Sequence, residues 1–313
     1  MTSAHRHMVI GLQASGKTTF AAALWYILAN GGVSTVLARG LHAGDYSYLD
    51  KIADLWERGY KVPRTEHYEH QTISINLVDP SSGKSMSLTF ADLPGEGFER
   101  AFATRRLAEP IAEALQGVHG LLLFVSAAVG PDDISILDIA KGVGLEDEFV
   151  DDDDDHEDSV IPEGDRSGGN TSTETSAPKF VPFTPGETPR DVQIVDILQS
   201  LQQRPVGGSF PRIVVIVSAW DKVVRAANPA EWLFTNMPLL DQYLRNTHIP
   251  TRIYGVSAQG GDVPKDSTAP DQLERQKLLL ISNASARVEV VGYGADKHDL
   301  THAIRWLSGL EVE

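Results

Sequence analysis

The residues best placed to do chemistry are Gly11, Gly16, Lys17 and Thr18, spaced as Gly-x-x-x-x-Gly-Lys-Thr within Met8-Val9-Ile10-Gly11-Leu12-Gln13-Ala14-Ser15-Gly16-Lys17-Thr18-Thr19. This spacing builds a phosphate-binding loop. Glycine is needed at both ends because the backbone must wrap an anion closely, and a side chain or a restricted φ would block the N–H donors. The donors are the loop and helix-start N–H groups from Gly11 and Ala14 through Ser15, Gly16, Lys17, Thr18 and Thr19. Lys17 brings a compact positive charge to the β- and γ-phosphates, and Thr18 a hydroxyl oxygen for Mg²⁺. Such a loop needs a strand before it and a helix after it. The apolar run before Gly11 reads as the strand, and Phe20 to Ala29 as a helix whose N-terminal dipole favours an anion.

A second chemical group follows at Asp92-Leu93-Pro94-Gly95-Glu96. A carboxylate at the end of a strand can hold Mg²⁺ through water, and a glycine N–H in a flexible turn can approach a γ-phosphate. Between the two groups, the polar loop Gly59 to His67 offers Thr65 as a further Mg²⁺ ligand and Arg64, beside Thr65, as a cation for the γ-phosphate, with Thr72 the other candidate ligand.

The elements that must position these groups are legible from hydrophobic periodicity. Asn30-Gly31-Gly32 stops the first helix, Val33 to Ala38 reads as a short strand, and Tyr46 to Arg58 as a helix. Thr72 to Val78 and Met86 to Ala91 alternate across the turn Asp79 to Lys84, which makes a hairpin. Phe98 to Leu115 reads as one helix, Gly120 to Val125 as a buried strand, and Val192 to Leu201 as a helix. Arg212 to Lys222 is a buried strand ending in a carboxylate. Arg252 to Gln259 is another, Arg287 to Gly292 an extra strand, and Asp299 to Leu307 a final helix.

From about 146 to 190 the composition turns to Asp and Glu, then to Ser, Thr, Gly and Pro, including the block Asp151 to Asp155. So few apolar residues cannot offset the entropy of ordering, so this stretch is expected to be a disordered insertion in a single domain spanning 1–313. The net charge of −16 comes largely from about a dozen acids between Glu146 and Asp165. Without a clustered basic face, nucleic acid is not an expected partner. The chain has no cysteine, which removes disulfides and thiolate chemistry. Its apolar runs are shorter than the about 20 residues a membrane span requires, and its N-terminus leads straight into a strand, so a cytoplasmic location is expected.

Four strand ends in chain order, namely the phosphate loop, Asp92-x-x-Gly95, Ser218-Ala219-Trp220-Asp221 and Ser257-Ala258, resemble the translation-factor-related (TRAFAC) class of P-loop GTPases. Within that class the chain is most similar to the bacterial double-GTPase group linked to conflict or defence systems. The resemblance implies an α/β P-loop NTPase three-layer sandwich, whose mixed, mostly parallel sheet carries one antiparallel hairpin strand. It implies GTP and GDP as ligands, Mg²⁺ as cofactor, Asp221 accepting two hydrogen bonds from guanine, and Ser257 with the Ala258 backbone supporting the base. Lys17, Gly95, Glu96 and Thr65 then form the catalytic set, and Thr18, Asp92 and Thr65 the metal set. A protein effector or regulator, encoded in the same system, is the implied partner.

The chain departs from the class at several positions. Ala219 stands where a lysine stem usually covers the base. Glu96 stands where Ras-like members place a water-orienting glutamine, Gln13 where they often have glycine, and Ala14 where potassium-activated members carry asparagine. The resulting expectation is a slow GTP-hydrolysing switch. The competing readings are a nucleotide-gated scaffold with negligible turnover and, with less support, a small-molecule kinase.

Overall fold

The computed structural model describes residues 5–41, 45–63, 72–91, 96–128, 185, 188–203, 206–207, 210–270 and 272–310. Every element below belongs to the unit formed by Met1–Pro131 and Thr188–Glu313. Most of the expected acidic insertion at 146–190 lies outside the described residues.

Eight strands form one sheet among the described residues: β1 (His5–Ile10), β2 (Ala38–Arg39), β3 (Ile73–Val78), β4 (Ser85–Phe90), β5 (Gly120–Ser126), β6 (Ile213–Ser218), β7 (Thr251–Ser257) and β8 (Glu289–Val291), in the spatial order β2-β3-β4-β1-β5-β6-β7-β8. β4, β1, β5, β6 and β7 are parallel. The hairpin partner β3 runs antiparallel to β4, β2 antiparallel to β3, and β8 antiparallel to β7. Five parallel strands put five C-terminal ends on one edge, and in open α/β sheets that edge is where ligands bind.

Alternation along the central strands divides the core into two layers. Val9, Leu122, Phe124, Val214, Ile216, Tyr254 and Val256 face one side, where they pack with α1 (Lys17–Asn30), α2 (Ser47–Glu57) and the C-terminal helix at His302–Leu307. Met8, Ile10, Leu121, Leu123, Val125, Ile213, Val215 and Val217 face the other. There they meet α3 (Glu96–Thr104), α4 (Glu109–Leu115), α5 (Arg190–Gln202), α6 (Pro229–Asn236) and α7 (Pro238–Asn246). A sheet covered on both faces explains why β5 and β6 read as continuous apolar runs. A further helix, α8 (Leu273–Leu279), precedes β8, and His302–Leu307 is α9. No helix among the described residues is long and apolar enough to cross a membrane.

Four stretches differ from the sequence reading, the first being Arg212 to Lys222, where the strand ends at Ser218 and Trp220–Lys222 is a single helical turn. The stretch read as one helix from Phe98 to Leu115 is two, because Arg105 sits at φ 56° and Pro110 lies in the first turn of α4. Proline has no N–H and would clash with a preceding helical carbonyl, so it fits a first turn and not a helix interior. The expected strand Val33 to Ala38 shrinks to Ala38–Arg39. The N–H groups of Val36 and Leu37 donate instead to Asp299 Oδ2 and Thr301 Oγ1, each at 3.0 Å. The final helix starts at His302 because Asp299 Oδ1 also accepts from Thr301, from its N–H at 2.8 Å and its hydroxyl at 2.6 Å.

Candidate functional site

The phosphate loop joins β1 to α1 at the sheet edge, and its geometry accounts for its glycines. Gly11 has φ 151°, and a Cβ on it would meet Phe124 O at 2.7 Å and Ser15 Oγ at 2.8 Å. Gly16, at φ 93°, would meet the Ser218 side chain at 2.8 Å. Ser218, at the end of β6, donates its hydroxyl to Ser15 O at 2.8 Å and so ties the loop to the neighbouring strand end. Ala14 also takes a left-handed conformation, φ 60°, at the loop tip.

Lys17 is 3% exposed. Its Nζ donates to Gly11 O at 2.6 Å, to Leu12 O at 3.0 Å and to Ser15 Oγ at 3.3 Å. A buried ammonium needs such acceptors. It is held at the mouth of a loop whose backbone N–H groups attract anions. Thr18, half-buried, is the second residue of α1. Mg²⁺ takes oxygen ligands and is usually held by one or two protein groups together with substrate phosphates and water, so the Thr18 hydroxyl fits that ion. Among the described residues no cluster of three or more His, Asp or Glu is arranged to hold a metal by itself.

A cleft of about 270 Å³ runs from this loop along the ends of β5, β6 and β7. Ala14, Gly16, Thr19, Ala219, Asp221 and Ala258 line it, together with Lys61 and Val62 from the segment after α2. At its far end Ser257, 1% exposed, donates its hydroxyl to Asp221 Oδ1 at 2.5 Å and accepts from Gly260 N–H at 3.2 Å. Ser257 does not line the cleft. It is buried behind Asp221 and fixes that carboxylate. Ala258 presents its carbonyl to Trp56 Nε1–H at 2.8 Å, so α2 braces the same turn. Lys222 pairs with Asp262 at the rim, and that hydrogen bond holds the lysine's pKa above its ordinary value.

A cluster at Gln13 escaped the sequence reading in part. Its N–H donates to Glu99 Oε1 at 2.9 Å, its side-chain Nε2 to Glu96 Oε1 at 3.0 Å, and its carbonyl accepts from Arg190 Nη2 at 2.6 Å. Glu99 follows Glu96 by three residues, the spacing that puts two side chains on one helix face, so the pair was findable. Arg190 opens α5, and nothing local in the sequence links it to the loop. Thr65, Arg64, Asp92 and Gly95 lie outside the described residues, whereas Ala91, one residue before Asp92, follows directly on β4.

The mixed sheet covered on both faces and the phosphate loop between β1 and α1 define an α/β P-loop NTPase. The chain belongs to the Double-GTPase 1 family, whose model matches residues 8–307. No curated protein matches the sequence. Two solved structures show distant likeness. One is a bacterial selenocysteine-specific elongation factor, 13% identical, with a TM-score of 0.37, covering 90% of this chain and 29% of that one. The other is a Plasmodium falciparum protein described as nucleolar GTP-binding protein 1, 14% identical, with a TM-score of 0.33, covering 83% of this chain and 81% of that one. The chain thus spans less than a third of the elongation factor.

Proposed function

We propose that this protein binds GTP with Mg²⁺ and hydrolyses it slowly, as a conformational switch read by a protein partner, through one GTPase-like domain interrupted by the acidic insertion. The observation that carries the proposal is the continuity of one cleft from the phosphate loop, where Lys17 is held, to Asp221, where Ser257 fixes a carboxylate.

In this reading the loop N–H groups and Lys17 receive the phosphates, with Lys17 exchanging its carbonyl partners for phosphate oxygens. The residues that would hold Mg²⁺ are Thr18, Asp92 and Thr65. When bound, the ion neutralises charge on the phosphate oxygens. The Gly95 N–H meets the γ-phosphate. Asp221 accepts from guanine N1–H and the 2-amino group, Ser257 positions Asp221, and the Ala258 backbone supports the base. Ala219 leaves open the ring face that a lysine stem would cover.

Slow turnover follows from Glu96. A carboxylate near a γ-phosphate does not orient water as glutamine does, and this one holds Gln13. Multiple-turnover phosphate release separates a slow hydrolase from a nucleotide-gated scaffold. Lys17→Ala tests the site itself. GTP affinity should fall about ten- to a hundredfold, as expected when a charge-assisted contact is lost, while the protein stays folded and unfolds cooperatively. Equal GTP affinity in the two proteins would refute the phosphate-loop assignment.

A further inference from the structure

We infer that Arg190 is a catalytic arginine supplied in cis to the terminal phosphate of the nucleotide. The inference rests on the proposed GTP site and extends it. Lys17 Nζ, bonded to the carbonyls of Gly11 and Leu12, marks where the β- and γ-phosphates are received. Gln13 is the next residue, and Arg190 Nη2 donates to its carbonyl at 2.6 Å. A guanidinium carries five N–H donors in a planar fork, so it can hold this carbonyl and a phosphate oxygen together.

Electrostatics call for a cation at this point. Glu96 and Glu99 both bond Gln13, which puts two carboxylates beside the place where triphosphate charge arrives. Arg190 offsets them and stabilises the charge that develops on the γ-phosphoryl oxygens. Its backbone is fixed, because α5 is anchored in the core by Ile194, Leu198 and Leu201. In the step served, the water oxygen bonds to the γ-phosphorus as the bond to the β–γ bridging oxygen breaks. That electron pair leaves on the β-phosphate of GDP, and the water proton ends on the released phosphate.

The test compares the full chain with Arg190→Ala and Arg190→Lys, using Mg²⁺, fluorescent GDP, GDP with aluminium fluoride, and single-turnover GTP hydrolysis. GTPases carrying their own arginine turn over at about 10⁻² per second, against a few times 10⁻⁴, roughly, for those that await one. The unmodified protein should therefore bind GDP–aluminium fluoride without any partner. Both variants should lose that complex and slow hydrolysis about 20- to 30-fold, the ratio of those two rates, while GDP affinity and melting temperature change little. Lysine should not rescue, because it lacks the fork. Retention of the aluminium fluoride complex by either variant, or unchanged hydrolysis, overturns the role of Arg190. So does a parallel loss of GDP affinity and stability that lysine restores, since that marks a structural tie. Failure of the unmodified protein to bind GDP or GTP instead overturns the nucleotide reading, and this inference with it.

Discussion

Asp221 and Ser257 show how two residues divide one task. The sequence put both at strand ends and gave both to the base, but only Asp221 lines the cleft, while Ser257 is buried behind it with its hydroxyl on the carboxylate. A sequence indicates which residue types reach a sheet edge. It does not say which of two neighbours faces the ligand, because that depends on the twist of the turn after each strand. If Asp221 accepts from guanine N1–H and the 2-amino group, Asp221→Asn sets a donor against a donor. GTP affinity should drop about ten- to a hundredfold, and XTP, with an oxygen in place of the amino group, should gain relative preference. Titrating both proteins with labelled GTP and XTP checks this, and an unmoved preference would remove Asp221 as the base reader.

His7 makes a residue-scale prediction far from the cleft. Its Nε2 lies 2.7 Å from Ser308 Oγ, a hydroxyl that also lies 2.9 Å from Ile304 O and 3.2 Å from Met86 Sδ. Among the described residues Nδ1 has no hydrogen-bond partner. Burial, and then the nearby His5 and His119, lower the His7 pKa to about 3. The unfolded chain, with an ordinary value of about 6.5, then binds a proton that the folded chain refuses. The stability His7 contributes is therefore fully present above about pH 6.5 and is lost as pH falls toward 3, at about 1.4 kcal/mol per unit. In urea unfolding between pH 6 and 4, His7→Gln should lower the pH slope by about one proton. An identical slope in the two proteins would contradict the assignment.

At the scale of elements, the strands were legible because burial on both faces writes long apolar runs and hairpins write alternation. The helices α6 and α7 were not read, although Asn228 before Pro229, with Asn228 Oδ1 accepting from Glu231 N–H at 2.9 Å, and Pro238 at the start of α7 are start signals. Their apolar faces are short, and periodicity over two turns is weak evidence. β7 carries a further constraint that only the structure exposes. A Cβ on Gly255 would run into the Trp220 ring, and Trp220 opens the single helical turn Trp220–Lys222 that bears Asp221. Gly255→Ala should move that turn, at an overpacking cost of about 1–3 kcal/mol in stability. Calorimetric titration should find GTP binding at least about tenfold weaker, with Mg²⁺-dependent phosphate contacts still present. Unchanged affinity would mean that Trp220 does not position Asp221.

At the scale of the whole molecule, the parallel order β4-β1-β5-β6-β7 brings residues separated by more than two hundred positions to one edge. That architecture was legible because the strand ends carry their chemistry in chain order. The Arg190 contact with Gln13 was not, since it spans the acidic insertion and depends on where α5 restarts. The central claim is that this edge is a guanine nucleotide site that depends on Mg²⁺. The most direct measurement is a competition titration of the unmodified protein with labelled GTP against unlabelled GTP, GDP and ATP, with Mg²⁺ and with chelator. The account predicts that GTP and GDP displace the label, that Mg²⁺ strengthens GTP, and that ATP in hundredfold excess does not compete. ATP competing as well as GTP, or no nucleotide binding at all, would contradict it.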